Sequence, residues 1–139
     1  MANINLLHLS DLHISDKRLS STSKKLIDDI VSQIKDMSEV ILVVSGDTVD
    51  KGEFEKYIKG IQLFFQSLKD STGKKIKDVY FVPGNHDKVR SKSNELYGKY
   101  IQYERYEMTE EVWNLQSKNY TDYLNMVNVV KKIFNSKSR

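Results

Sequence analysis

Residues 40–50 read VILVVSGDTVD: five consecutive apolar side chains, four of them β-branched, followed by Ser45, Gly46, Asp47, Thr48, Val49 and Asp50. A short β-branched run that stops at turn-forming residues predicts a buried strand. The same pattern recurs on either side. Ile4–Leu9 runs into Ser10-Asp11-Leu12-His13, and Val79–Val82 runs into Pro83-Gly84-Asn85-His86-Asp87. Between the runs, Ile27, Ile30, Val31 and Ile34 recur at helical spacing, as do Phe54, Tyr57, Ile58, Ile61, Phe65 and Leu68. The order is therefore β-α-β-α-β, with strands that read as buried runs more than as clean alternation. That argues for a parallel sheet with right-handed crossovers, whose ligands gather outside the C-terminal strand ends.

The rest of the chain sets bounds. Its 139 residues are 39% hydrophobic and 29% charged, which suits one globular domain at most and excludes collagenous and low-complexity classes. With no cysteine there is no disulfide framework, zinc ribbon or thiol nucleophile, so a metal site must draw on His, Asp, Glu or Asn. The N-terminal run has no basic segment before it and no small-residue cleavage site after it, unlike a signal peptide. No stretch approaches the roughly 18 apolar residues of a membrane span. A soluble, cytoplasmic protein is expected.

Composition shifts near residue 88. The first 87 residues carry 12 basic and 13 acidic side chains, whereas 88–139 carry 10 and 6, so the basic excess lies in the tail. Six of eight tyrosines and Trp113 also fall there. The tail lacks proline, and Tyr120, Leu124, Val127, Val130 and Phe134 keep a helical period; two helices are expected, broken near Met108, with Thr109 starting the second. Tyrosines among lysines invite a nucleic-acid reading, but the cations alternate with Glu104, Glu107, Glu110 and Glu111 and form no stripe. Helix packing and a solvated face account for the tail better.

The three post-strand clusters carry the chemistry. Asp11 and His13 are one residue apart, so a turn can aim both at one ion. Hard oxygen donors with neutral imidazole suit Mn, Fe, Zn or a similar divalent ion. The plainer reading, capping and turn chemistry, accounts for single Asp and Asn residues but poorly for all three clusters at once. His8, inside the first run, is expected to be a packed, hydrogen-bonded strand residue, and Asp16 and Asp28 surface carboxylates.

Together, Asp11-Leu12-His13, Gly46-Asp47-Thr48-Val49-Asp50 and Gly84-Asn85-His86-Asp87 resemble the signature of the calcineurin-like metallophosphoesterases, over about residues 3–90. The resemblance implies the first part of an α/β/β/α sandwich followed by a helical tail. It implies an N-terminal half-domain over 1–90 and a helical cap or insertion over 91–139. It further implies that Asp11 and His13 bind one of two divalent ions, that Asp47 bridges both, and that Asn85 binds the second ion and contacts substrate. His86 would act as general acid and contact substrate, oriented by Asp50. Asp87 would support the loop, and Lys51 would stand where relatives hold a phosphate-contacting Arg, without its bidentate fork. The activity implied is hydrolysis of a phosphate mono- or diester by a metal-bridged hydroxide.

The family completes its site with three further histidines, one alone and two in a Gly-His-x-His turn, and no histidine follows His86 here. The first ion thus lacks one ligand and the second lacks two. The chain is expected to be an incomplete domain, inactive or weak alone; the alternative is a non-catalytic binding module or subunit completed by a partner chain.

Overall fold

The computed structural model describes residues 3–49, 53–84, 87 and 121–135. Strands β1 (Asn5–Ser10), β2 (Val40–Ser45) and β3 (Ile76–Val82) alternate with helices α1 (Ser21–Ile34) and α2 (Phe54–Thr72), and helix α3 (Thr121–Asn135) follows. The strands form one parallel sheet in the order β1-β2-β3. The expected β-α-β-α-β order and helical tail are therefore present. The break near Met108 and the start at Thr109 lie outside the described residues.

Register divides the sheet into two unlike faces. Leu7 pairs with Leu42 and Leu42 with Val79, while Leu9 pairs with Val44 and Val44 with Phe81. These side chains meet Ile27, Ile30 and Ile34 of α1 and Ile61, Phe64, Phe65 and Leu68 of α2 in one core. On the opposite face, Leu6, His8, Tyr80 and Val82 are exposed and Ile41 and Val43 half-buried. This departs from the expectation of strands buried throughout. Consecutive crossovers of one hand, stepping in one direction across the sheet, place both helices on the same side. His8 departs too: it bonds Ser45 Oγ as expected, but on the open face and not packed.

Local chemistry sets the helix ends. Ser20 is the N-cap of α1, its Oγ accepting the Ser23 amide at 3.1 Å. The Lys75 ammonium donates to the carbonyls of Ile34 and Lys35 at the other end, where unpaired carbonyls favour a cation. Helix α3 joins the same core through Tyr123, Met126 and Val130. Phe54 meets Tyr123 edge-on at 5.8 Å, Phe65 meets Phe134 at 6.3 Å, and Lys69 Nζ donates to the Ile133 carbonyl at 2.6 Å. Of the expected face of α3, Val127, Val130 and Phe134 pack on the core, whereas Leu124 is 56% exposed.

Candidate metal centre

The first two strands end side by side, and their loops stay paired. The Asp11 amide donates to the Gly46 carbonyl at 3.1 Å, His13 to Asp47 at 2.9 Å and Ile14 to Thr48 at 2.9 Å, leading to a parallel bridge between Ile14 and Val49. Within this ribbon Asp11, His13 and Asp47 adopt left-handed backbone, with φ of 52°, 44° and 49°. Among the described residues they are the non-glycine residues that do so. Such conformations cost on the order of 1–3 kcal/mol each and persist where the surroundings enforce them. Here the interstrand bonds enforce them, and the reversals bring three side chains to one point.

At that point the candidate ligand atoms of Asp11, His13 and Asp47 all lie within 4.8 Å of one another. His13 Nε2 stands 3.9 Å from Asp11 Oδ1 and 3.9 Å from Asp47 Oδ2. Two ligands bonded to one ion at about 2.1 Å can be at most ~4.2 Å apart, a limit that the imidazole meets with each carboxylate. Asp47 is buried at the base of the group, while the side chains of Asp11 and His13 are 66% and 44% exposed.

The third loop is fastened onto the second. The Gly46 amide donates to the Val82 carbonyl at 2.8 Å. Gly84 sits so close that a Cβ there would lie 2.2 Å from Asp47 Oδ1 and 2.5 Å from the Asp47 amide nitrogen. Asp87 is buried, and its two oxygens bridge the loops: Oδ1 accepts the Thr48 amide and Oδ2 the Gly84 amide, both at 2.8 Å. Burial pushes its carboxyl pKa up, against the downward pull of the Gly84, Thr48 and Val49 amides. The structure thus gives atoms to the loop-supporting role expected for Asp87. Gly84 drew notice in the sequence as a turn residue; its fit against Asp47 had no signal there.

Asp11, His13 and Asp47 are brought together; Asp50, Lys51, Asn85 and His86 lie outside the described residues. The first three residues sit at the ends of adjacent parallel strands, and the motif order Asp-x-His, Gly-Asp, Gly-Asn-His is intact. A family model for the calcineurin-like phosphoesterases matches residues 4–138. The chain belongs to this family. The match continues past residue 90 and includes α3. No curated protein and no solved structure matches the chain. Membership together with the Asp11–His13–Asp47 group supports divalent-metal binding and phosphate ester hydrolysis as the class of activity. Among the described residues no helix is long and apolar enough to cross a membrane.

Proposed function

We propose that this chain carries the first half of a two-metal phosphoesterase centre acting on a phosphate mono- or diester. The observation that carries the reading is the convergence of Asp11, His13 and Asp47 in enforced left-handed turns. Divalent ions bound there, of the Mn, Fe or Zn kind, would supply Lewis acidity and a nucleophile at neutral pH. Asp11 and His13 would hold the first ion, Asp47 would be shared with the second, and Asn85 would serve the second. His86, oriented by Asp50, donates a proton to the departing oxygen. Asn85, His86 and, more weakly, the Lys51 ammonium contact the phosphoryl oxygens. With no histidine after His86, both ions are short of the family's ligand set, so the chain alone hydrolyses a p-nitrophenyl phosphodiester weakly or not at all. Residues 91–139 would be the cap or insertion segment, of which the described part, α3, packs into the core.

The open sheet face favours a second reading, a module completed by another polypeptide that covers Leu6, Ile41, Val43 and Tyr80 and brings the remaining ligands. Titration with Mn2+ alongside sedimentation tests both. Asp47→Asn abolishes two-metal binding, and His86→Asn lowers turnover in an active assembly while the ions stay bound. Undiminished Mn2+ binding by Asp47→Asn would overturn the first reading, and a monomer with full hydrolytic activity would overturn the second.

A further inference from the structure

A polar cavity of about 360 Å3 lies between the β1–α1 connection and the first turn of α1, and the metal-centre reading leaves it unused. Its lining includes His13, Ser15, Asp16, Arg18, Ser20 and Ser23. That volume falls among sites that enclose small organic ligands, roughly 300–1,000 Å3. The cavity is fixed by the fold. A Cβ at Gly60 of α2 would stand 1.9 Å from the Asp16 carbonyl oxygen, so helix and loop are in direct backbone contact. Asp16 Oδ1 accepts the Arg18 amide at 3.0 Å, and Ser20 Oγ donates to Ser23 Oγ at 3.0 Å. Among the described residues the Arg18 guanidinium forms no ion pair. His13 belongs both to the cavity wall and to the Asp11–His13–Asp47 group.

We propose that this cavity is the subsite for the alcohol part of the phosphate ester, and that it selects a sugar-like polyol over an aryl group. The inference rests on the metal-centre reading in one respect, that the phosphoryl group sits at the Asp11–His13–Asp47 group. An ester placed there extends past His13 into a wall of hydroxyls, one carboxylate and one guanidinium. Vicinal hydroxyls donate and accept, which is what this mixture of acceptors and donors satisfies. An aryl group would displace water from the same groups and leave them unpaired, and sites built this way reject ligands that lack the matching polar atoms. Asp16 and Arg18 together leave the wall without net charge, which suits a neutral polyol.

The test is calorimetric titration of the whole chain, with excess Mn2+, by ribose 5-phosphate, phenyl phosphate and inorganic phosphate. Ribose 5-phosphate should bind at least about tenfold tighter than phenyl phosphate, the effect of one well-made hydrogen bond to a charged group. Ser15→Leu and Arg18→Leu, at exposed positions and with circular dichroism as the check on folding, should bring the ratio of the two affinities close to one. Equal affinities, a preference for phenyl phosphate, or a ratio unmoved by both variants would overturn the subsite. If preference is lost while phosphate still binds, the subsite fails and the metal centre stands. A chain that binds neither Mn2+ nor phosphate refutes the metal centre, and with it the subsite unless ribose 5-phosphate still outbinds phenyl phosphate.

Discussion

Gly84→Ala tests whether the third loop fixes Asp47 by contact. The new Cβ would lie 2.2 Å from Asp47 Oδ1, 2.5 Å from the Asp47 amide nitrogen and 2.7 Å from Gly46 Cα. Non-bonded heavy atoms settle at about 3.5–4.0 Å, so each approach is too close by roughly 1 Å. A carboxylate oxygen can rotate away, but the amide nitrogen and Cα move only if the second loop moves. Gly84 is not among the glycines with positive φ, so alanine is conformationally allowed there. By stiffening the unfolded chain, the change alone would stabilise by about 0.4–1 kcal/mol. The overpacking term, about 1–3 kcal/mol, outweighs this and leaves a net loss of about 1–2 kcal/mol. At roughly 3–4 °C per kcal/mol, the melting temperature falls by several degrees. Metal binding suffers more, because a shift of Asp47 by about 1 Å takes its oxygen out of a 2.0–2.2 Å bond, and Mn2+ affinity should fall at least about tenfold. Gly73→Ala is the control. Gly73 caps α2 at φ 64° with nothing within 4 Å of its Cβ position, so alanine costs about 1–3 kcal/mol of backbone strain and leaves Mn2+ affinity alone. Differential scanning calorimetry and Mn2+ titration read both quantities. A Gly84→Ala protein with unchanged melting and unchanged Mn2+ affinity would refute the contact argument.

Three further outcomes follow from the same geometry. Asp87→Ala leaves the Thr48 and Gly84 amides without their acceptor and should cost about 2–4 kcal/mol in urea unfolding; an unchanged midpoint would show the clamp to be idle. Chelation should lower the melting temperature of the metal-loaded chain, by an amount equivalent to about 2.7 kcal/mol when free metal stood at a hundred times Kd; identical melting curves with and without chelator would count against the centre. Ser20→Ala removes the acceptor for the Ser23 amide at the start of α1 and should lower stability by about 1 kcal/mol, with Ser20→Asp restoring it in the same unfolding assay.

Much of this arrangement was legible in the residues, for identifiable reasons. The runs at 40–44 and 79–82 are β-branched enough to be strands, and Ile27, Ile30 and Ile34 keep the period that buries them. Asp11, His13 and Asp47 could be placed together because parallel strands end on one side of a sheet. The two faces were less legible: a run such as Val40–Val44 is apolar at every position, so alternation cannot say which side chains meet a helix. On α3 the expected Val127, Val130 and Phe134 pack on the core, but Tyr123 and Met126 also satisfy helical spacing and turn inward in place of Leu124, with Phe54 against Tyr123. Phe64, fully buried, lies outside the expected stripe on α2 because the stripe is wide enough to include two adjacent phenylalanines. Left-handed backbone at Asp11 and His13 had no sequence signal beyond the tolerance of Asp and His for it.

Under the proposed reading, the open face and a ligand set short of that of the family state one requirement in two ways. Parallel sheets are stable when both faces are covered, and here one face presents Leu6 at 66%, Tyr80 at 51% and Val82 at 55% exposure. In the middle of that face His8 and Ser45 are already bonded to each other, so a covering layer would bury a satisfied polar pair at little cost. The same strands end at Ser10 and Ser45, one residue and two residues before Asp11 and Asp47. A layer laid over Leu6, Ile41 and Val43 therefore reaches the strand ends beside the metal group, where Asp11 and His13 are exposed. Under the proposed reading, the histidines that the two ions lack are best supplied from that layer. The sandwich implied by the family would then unite core closure and metal coordination in a single packing event.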